Sequence, residues 1–295
     1  SNLRSRVRSY FGTNESRTKV GSLLKLMQGI EYIQTPDLLT AEVLELRIIG
    51  RLRPRYNHAG TRTAKYCYVR LTTEEEWPRL MVSKTPSAKG ICIGPISTRN
   101  MATEVVDAIE SVIPLRRCTV RMGRKYVAPD GAPVCSAARL GLAQCPCSGT
   151  AEPESYAIAV QQAANALTGK STDVIEALTI RMNAHSEAQR YEEAAYLRDR
   201  IQTFETVLRR QKQAEKLCSQ GKFTVSFDNI VYEVDNGVLA STRNADQLFM
   251  PLASLSKHVH EAIVVPNGVH DEHGMLRSDA MDEVLCIAKF LEAQQ

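Results

Sequence analysis

The stretch YEEAAYLRDRI, residues 191–201, is the most informative part of this chain for its fold. Its apolar residues recur at helical spacing, and Ala194 and Ala195 would let a second helix approach closely. A second helical pattern covers residues 174–188, so the sequence predicts two antiparallel helices, 174–188 and 191–218. The residues predicted to face each other are Leu178, Met182, Ala194, Ala195, Leu197, Ile201 and Phe204.

The region before this hairpin mixes strand and helix patterns. Helical periodicity is present over residues 36–53 and 101–112, and the first of these helices should end near Arg53, because Pro54 disfavours helical backbone before it. Alternating apolar residues predict strands at 30–33, 66–71, 79–82 and 90–93.

The region after the hairpin changes pattern again. Residues 223–233 and 238–242 alternate as strands around Asn236-Gly237, a strong β-hairpin signal. A last helix is predicted over residues 279–293. Together these patterns predict an α+β chain of about two domains.

Charge is distributed unevenly along the chain. Residues 1–140 hold 23 basic and 12 acidic residues, whereas residues 141–295 hold 14 and 21. A basic half suggests contact with a polyanion such as nucleic acid, and an acidic half suggests a different partner. No apolar run approaches the roughly 20 residues of a membrane span, so we expect a cytoplasmic protein without a membrane partner.

Four polar residues near the N-terminus are candidates for chemistry. Arg6 and Tyr10 are four residues apart, so a helix would place them on one face. Glu45 lies on a helix expected to be partly buried, where a carboxylate is costly unless a cation meets it. A divalent cation on one carboxylate, with an arginine on a phosphate, would suit metal-assisted phosphodiester cleavage. Taken singly, composition and spacing favour the simpler interpretation, in which Glu45 is a solvated helix residue and Arg6 an ordinary surface charge.

Motifs along the first 118 residues resemble one nuclease family. LRSRVRSYF (3–11), ELRII (45–49) and RPRYN (53–57) are similar to the GIY-YIG nuclease domain of the UvrC/Cho family. The same order continues with the segments YCYVRLT (66–72), WPRL (77–80), GP (94–95) and PLRRC (114–118).

This resemblance implies roles for the four candidates. Arg6 corresponds to the catalytic arginine and Tyr10 to an active-site tyrosine. Glu45 corresponds to the glutamate that binds one Mg²⁺ or Mn²⁺, and Asn57 to an asparagine that supports the site. The two strands that name the family are expected upstream of Ser1, so the nuclease domain should be truncated here. A proofreading-type exonuclease domain could precede it in the same chain.

A group of cysteines follows the strand region. Cys118, Cys135, Cys145 and Cys147 lie within 30 residues and could bind zinc or an iron–sulfur cluster as four thiolates, or stay free. The resemblance implies an iron–sulfur cluster. The spacing Cys135-x9-Cys145-x-Cys147 departs from the family pattern, and the last pair is close for two ligands of one metal.

The hairpin also resembles a family motif. YEEAAYLRDR is similar to the UVR motif of UvrB and UvrC, which implies docking to a UvrB-like protein. The alternative is any helical hairpin with an alanine seam. A groove between two amphipathic helices suits such docking.

The expected organisation has four parts. These are the C-terminal part of a GIY-YIG domain (1–60), linker strands with the cysteine-rich region (61–150), a helical region with the UVR hairpin (151–220), and a small α+β domain (221–295). The expected function is metal-dependent single-strand incision of damaged double-stranded DNA in nucleotide excision repair. The alternative is a catalytically incomplete DNA-binding and UvrB-docking module.

Overall fold

The computed structural model describes residues 3–11, 18–57, 66–123, 125–244, 257–265, 268–272 and 274–294. Helices take up 51% and strands 14%, which confirms the predicted α+β class. Contacts divide the chain into two compact units. The first unit is Ser1–Arg62, Ser226–Val231 and Thr242–Val264, and the second is Thr63–Val225, Tyr232–Ser241 and Val265–Gln295.

The described elements follow one another as helices, a first sheet, more helices, a second sheet and two further helices. In chain order they are α1 Leu3–Tyr10, α2 Thr18–Leu26, α3 Leu38–Leu52, β1 Cys67–Leu71, β2 Leu80–Ser83, β3 Ile91–Ile96, α4 Arg99–Val112, α5 Ser136–Arg139, α6 Pro153–Leu167, α7 Asp173–Glu187, α8 Tyr191–Ser219, β4 Lys222–Phe227, β5 Ile230–Asp235, β6 Val238–Asn244, α9 Lys257–Ala262 and α10 Ser278–Ala293.

Helix α3 has clear start and stop signals. The Asp37 carboxylate accepts the Thr40 N–H at 2.9 Å, which satisfies a donor in the first turn. Arg53 follows the helix in the left-handed region (φ 45°), and its N–H donates to the Ile49 carbonyl. The predicted end of this helix before Pro54 is therefore confirmed.

The strand predicted at residues 30–33 is wrong. Residues 27–35 have no regular secondary structure, and Ile30 and Tyr32 are 52% and 72% exposed. Alternation favours a strand only where a neighbouring strand accepts its hydrogen bonds and covers its apolar side.

In the first unit, α3 packs against residues from the C-terminal part of the chain. Its buried positions include Leu39, Val43 and Ile49. Arg47 Nη1 donates to the Ile263 carbonyl at 3.3 Å, and Arg51 Nη1 donates to the Glu261 carbonyl. Both acceptors lie at the C-terminal end of α9, where carbonyls lack helical partners.

The core of the second unit is built on a three-stranded antiparallel sheet in the order β2-β1-β3. Val69 of β1 pairs with Val82 of β2 and Ile93 of β3. Helix α4 covers this sheet with Val105 and Ile109, which are fully buried. Helix α6 joins the same core, where its Tyr156 ring meets the Trp77 ring edge-on at 5.0 Å.

The predicted helical hairpin is present as α7 and α8. Leu178, Ile201 and Phe204 are buried in the same core as the sheet. Arg200 of α8 is buried and donates to Glu104 of α4 at 2.9 Å. The hairpin is therefore fastened to α4 by apolar packing and by one buried guanidinium.

The second sheet has the order β4-β5-β6. The strand predicted over residues 223–233 is broken in two, because Asp228 and Asn229 both adopt positive φ and make a turn between β4 and β5. The hairpin turn predicted at Asn236-Gly237 is confirmed. Helix α10 attaches here through Glu283, whose carboxylate accepts the Leu239 N–H at 2.9 Å.

Candidate functional site

Two of the four candidate nuclease residues lie on α1. Arg6 is exposed and Tyr10 is half-buried, four residues later on the same helix. The Ser9 hydroxyl donates to the Arg6 carbonyl at 2.7 Å, a contact that involves only the backbone of Arg6. The Arg6 side chain remains exposed. Helix geometry places Arg6 and Tyr10 on one face, where a phosphate could meet both.

The other two candidates lie on or just after α3. Glu45 is exposed, two residues from the buried Arg47, and therefore points away from the packed face of the helix. Asn57 is also exposed, and its N–H donates to the Pro54 carbonyl at 3.1 Å. Glu45 therefore lies on the solvated side of a partly buried helix, so no burial cost demands a cation there.

All four candidates belong to the first unit. Among the described residues, no group of three or more His, Cys, Asp or Glu side chains is arranged to hold a metal ion. A single exposed carboxylate could still contribute one oxygen to a divalent ion that keeps several waters.

The four predicted cysteine ligands all lie in the second unit. Cys145 Sγ and Cys147 Sγ are 3.1 Å apart, with Cys145 just before the 3₁₀ turn Pro146–Ser148 and Cys147 within it. Cys135 lies close enough to Cys145, and Cys118 close enough to Cys147, to influence their pKa values. We call these four cysteines the thiol group, in which Cys145 and Cys147 are in direct sulfur–sulfur contact.

The pKa values of Cys145 and Cys147 are shifted in opposite directions. Burial would raise the pKa of Cys145, but hydrogen bonds from Cys135, Ser148 and Cys147 outweigh it and lower that pKa to about 7. Burial, together with the hydrogen bond and charge of Cys145 and the neighbouring Cys118, raises the pKa of Cys147 to about 12.

The thiol group has the soft donors that zinc or an iron–sulfur cluster requires, but not their arrangement. Two thiolates on one tetrahedral zinc, each bonded at about 2.3 Å, would lie roughly 3.8 Å apart. The 3.1 Å between Cys145 Sγ and Cys147 Sγ is shorter, so these two sulfurs would have to separate to become ligands. Among the described residues, which include all four cysteines, no three or more side chains are arranged to hold a metal ion.

Sequence reasoning missed Arg116, which lies beside the thiol group. This side chain is buried and donates to Cys118 Sγ at 3.3 Å. The only sequence signal was its place in PLRRC, where a cation two residues before a cysteine looks like an ordinary surface charge. Its burial depends on contacts with Trp77 and Glu75, about 40 residues earlier in the chain.

The hairpin presents polar and aromatic residues at its closed end. Tyr191 is 65% exposed, and the exposed side chains of Arg198 and Asp199 pair with each other at 2.9 Å. The apolar side of the same hairpin is buried in the core. A partner would therefore meet the exposed side near residues 191–199.

The helices of the described residues include none that is both long and apolar enough to cross a membrane.

Comparisons with known protein families match three successive parts of the chain. Residues 1–58 match the UvrC-like GIY-YIG domain, residues 66–166 match the middle domain of UvrC/Cho excinuclease, and residues 172–207 match the UvrB/uvrC motif. The predicted resemblance is therefore confirmed. No solved structure gives a significant match.

Individual relatives give the same result. The UvrABC system protein C of Clostridium novyi (strain NT) is 32% identical over 214 residues, which is 71% of this chain and 34% of that protein. The one from Clostridioides difficile (strain 630) is 32% identical over 212 residues, 71% of this chain and 35% of the relative. The one from Moorella thermoacetica is 31% identical over 214 residues, 72% and 34%. The chain thus spans about a third of the length of these relatives.

Proposed function

Because residues 1–207 are similar, in order, to three parts of the UvrC/Cho excinuclease family, we propose that this chain serves nucleotide excision repair as a metal-dependent DNA endonuclease. The observation that carries the proposal is that Arg6, Tyr10, Glu45 and Asn57 fall in the part similar to the nuclease domain and lie in one compact unit. The proposed reaction is single-strand incision of damaged duplex DNA in the cytoplasm.

Each candidate has a role that its chemistry allows. The exposed Arg6 guanidinium would hold the scissile phosphate with two N–H donors and stabilise the charge that develops on it. The exposed Glu45 carboxylate would bind one Mg²⁺ or Mn²⁺, and when bound this ion would supply Lewis-acid polarisation of the phosphate. The Tyr10 hydroxyl would donate a hydrogen bond to a phosphate oxygen. Asn57 would support the site through hydrogen bonds of its side-chain amide.

The test is incision of a damaged duplex by the complete protein carrying Glu45→Ala. Loss of the single carboxylate ligand should reduce nicking by at least about 100-fold, as removal of a key electrostatic group does in other enzymes. The matched control is Glu42→Ala, an exposed glutamate on the same helix. Unchanged nicking by Glu45→Ala would exclude Glu45 as the metal ligand.

A second candidate function is a catalytically incomplete module that binds DNA and docks a UvrB-like protein. The absence, among described residues, of a ligand group that could hold a metal favours it. The sequence upstream of Ser1 discriminates between the two candidates. GIY and YIG strands there would support the enzyme, and a proofreading-type exonuclease domain further upstream would support the proposed fusion.

Phosphate contacts by the basic N-terminal half would support either function. Arg4, Arg6 and Arg8 are all exposed on α1. Each phosphate that a protein neutralises on duplex DNA adds about −0.9 to the slope of log binding constant against log salt concentration. Binding of double-stranded DNA should therefore weaken steeply with salt, and the triple change of these arginines to glutamine should flatten the dependence.

The cysteine-rich region is proposed to hold a cofactor. Cys118, Cys135, Cys145 and Cys147 would hold an iron–sulfur cluster, with zinc as the alternative. Iron, sulfide and zinc analysis of anaerobically purified protein, with a visible absorption spectrum, tests this. A protein without bound iron, sulfide or zinc would exclude both cofactors.

A further inference from the structure

The C-terminal end of helix α4 lies among three arginines that come from separate parts of the second unit. Arg79 comes just before strand β2, Arg117 lies in the segment after α4, and Arg181 lies on α7. Nη2 of Arg117 donates to the Glu110 carbonyl at 2.7 Å, and Nη1 of Arg181 donates to the Ser111 carbonyl at 2.7 Å. Because these two carbonyls belong to adjacent residues, the two guanidiniums are close neighbours.

Arg117 and Arg181 keep donors for a further ligand. A guanidinium carries five N–H groups in a planar fork, whereas capping a helix end takes one N–H from each arginine. The Arg117 side chain is 36% exposed, and Arg181 is also exposed. Their remaining N–H groups can therefore meet a ligand that arrives from solvent.

The carboxyl of Glu110 opposes these positive charges. Its side chain is 13% exposed, and burial raises its pKa to about 7, while the charges of Arg117 and Arg79 act in the opposite direction. Asp107, which adds to this shift, lies 3.5 Å from a guanidinium nitrogen of Arg200. Three permanent positive charges therefore face a carboxyl that is only partly ionised near neutral pH, and the end of α4 keeps an excess of positive charge.

Arg79 shows that this charge is incompletely compensated. The side chain is half-buried, and its buried Nε has no hydrogen-bond partner within the part of the chain that the structure describes. A buried donor without an acceptor is costly, because it has lost its water and gained nothing in return. Arg79 lies close enough to Glu110 to lower the pKa of that carboxyl. An anion bound at the end of α4 would therefore also interact favourably with the charge of Arg79.

We propose that Arg117 and Arg181 form a binding site for one phosphodiester group of the DNA backbone, strengthened by the charge of Arg79. The proposal rests on the proposed function, which supplies duplex DNA as the partner, and adds a contact in the second unit to those of the exposed arginines on α1. Guanidiniums hold phosphate oxygens through paired N–H groups, and such contacts position a duplex without reading its sequence. Because Arg181 belongs to the acidic half of the chain, the charge distribution along the sequence did not indicate this site.

The experiment measures binding of duplex DNA by the complete protein over a series of salt concentrations, using fluorescence anisotropy. The double variant Arg117→Gln/Arg181→Gln should bind at least about tenfold more weakly, as expected for lost hydrogen bonds to a charged group. Its slope of log binding constant against log salt concentration should be less negative by about 0.9, the value for one phosphate. The matched control, Arg198→Gln/Arg209→Gln, removes the same charge from exposed positions on α8 and should keep the wild-type slope. An unchanged slope in the first double variant, or equal changes in both, would overturn the proposal.

Glu110→Gln separates phosphate binding from simple capping of the helix. This substitution retains both arginines and removes the negative charge beside them. At about pH 8, above the pKa of Glu110, it should tighten duplex binding about threefold, because repulsion between the carboxylate and the phosphate is lost. Glu205→Gln, an exposed position on α8, is the matched control and should bind like wild type. Arginines that only cap α4 would give no gain, so wild-type affinity in Glu110→Gln would overturn the proposal.

The outcomes also distinguish this inference from the proposed function. If wild-type protein does not bind duplex DNA, the DNA partner of the proposed function and this site are both contradicted. If wild-type protein binds duplex DNA and the variants at the end of α4 bind identically, only this site is contradicted. If the arginine double variant fails to fold, as circular dichroism would reveal, the comparison of Glu110→Gln with Glu205→Gln carries the test.

Discussion

Two candidate site residues of the first unit and one charged pair of the second unit are held in different ways. Glu45 and Asn57 in the first unit are exposed. Arg116 in the second unit is buried and pairs with Glu75, whose side chain is 10% exposed. A group that must receive a ligand from solvent has to stay accessible, whereas a group that shapes the fold has to be satisfied within it.

The difference in exposure also predicts whether a substitution affects function or the free energy of unfolding. Removing an exposed carboxylate should change binding or catalysis with little effect on folding. Removing one member of a buried pair leaves a charge in a medium of low polarity, which is costly. The two glutamates, Glu45 and Glu75, are therefore the sharpest comparison within this chain.

The largest expected effect is that of Glu75→Ala. Its side chain is 10% exposed and is the carboxylate partner of Arg116. Breaking a buried pair in this way should lower the free energy of unfolding by about 3–5 kcal/mol. Glu45→Ala, at an exposed position, should change it by less than about 0.5 kcal/mol. Urea denaturation of both variants measures the difference. Similar losses of unfolding free energy in Glu75→Ala and Glu45→Ala would contradict the expected difference between the paired and the exposed glutamate.

A smaller effect is expected for Arg200→Gln. Arg200 is 9% exposed and connects α8 to Glu104 and Asp107 of α4 at 2.9 and 3.5 Å. Because both carboxylates retain some solvent contact, the loss should be about 1–3 kcal/mol. Arg209→Gln, exposed on the same helix, is the control with little expected effect. In the double variant with Glu104→Gln, failure to recover any of the loss would exclude a specific ion pair.

Glu110 predicts a dependence of stability on pH. Burial raises the pKa of this carboxyl from 4.5 to about 7, and the charge of Asp107 adds to the shift while Arg117 and Arg79 oppose it. The folded protein therefore holds a proton that the unfolded chain releases. The Glu110 contribution is complete below about pH 4.5 and is lost as pH rises to about 7. Subtracting the unfolding free energies of Glu110→Gln from those of wild type should reveal this decline, and parallel curves would contradict it.

The smallest expected effect on stability is that of Arg198→Ala. Arg198 and its partner Asp199 are 58% and 67% exposed, and exposed pairs contribute only about 0–1 kcal/mol. If this face docks a UvrB-like hairpin, as proposed, the same variant should bind that hairpin several-fold more weakly. Calorimetric titration measures the affinity, with Arg209→Ala as the matched control. Unchanged affinity would place the docking surface elsewhere on the hairpin.

Much of the fold was predictable where the signal is local. The α7–α8 hairpin, the stop of α3 at Arg53 and the turn at Asn236-Gly237 all depend on residues within a few positions of each other. Helical periodicity, proline geometry and positive φ act at that range. The strand predicted at residues 30–33 was wrong, since pairing depends on distant residues that a short alternation does not report.

The candidate sites were predictable in part. The cysteines at 118, 135, 145 and 147 were identified from their crowding, and the structure brings Cys145 and Cys147 into direct contact. Glu45 was identified by resemblance, and its exposure means that burial gives no separate argument for a cation there. Arg116 was not identified, because its role depends on Trp77 and Glu75, which approach it only after the chain has folded.

The sequence by itself determined the α7–α8 hairpin, the end of α3, the Asn236-Gly237 turn, the donor types of the thiol group and the family resemblance, because each of these depends on residue type and near neighbours. Only the tertiary structure decided which polar residues are buried and which remain at the surface. Burial depends on what covers a side chain, and here the cover comes from elsewhere in the chain: α4 for Arg200, and Trp77 and Glu75 for Arg116. The same residue type, arginine, therefore stays exposed at Arg6 and becomes part of the core at Arg116.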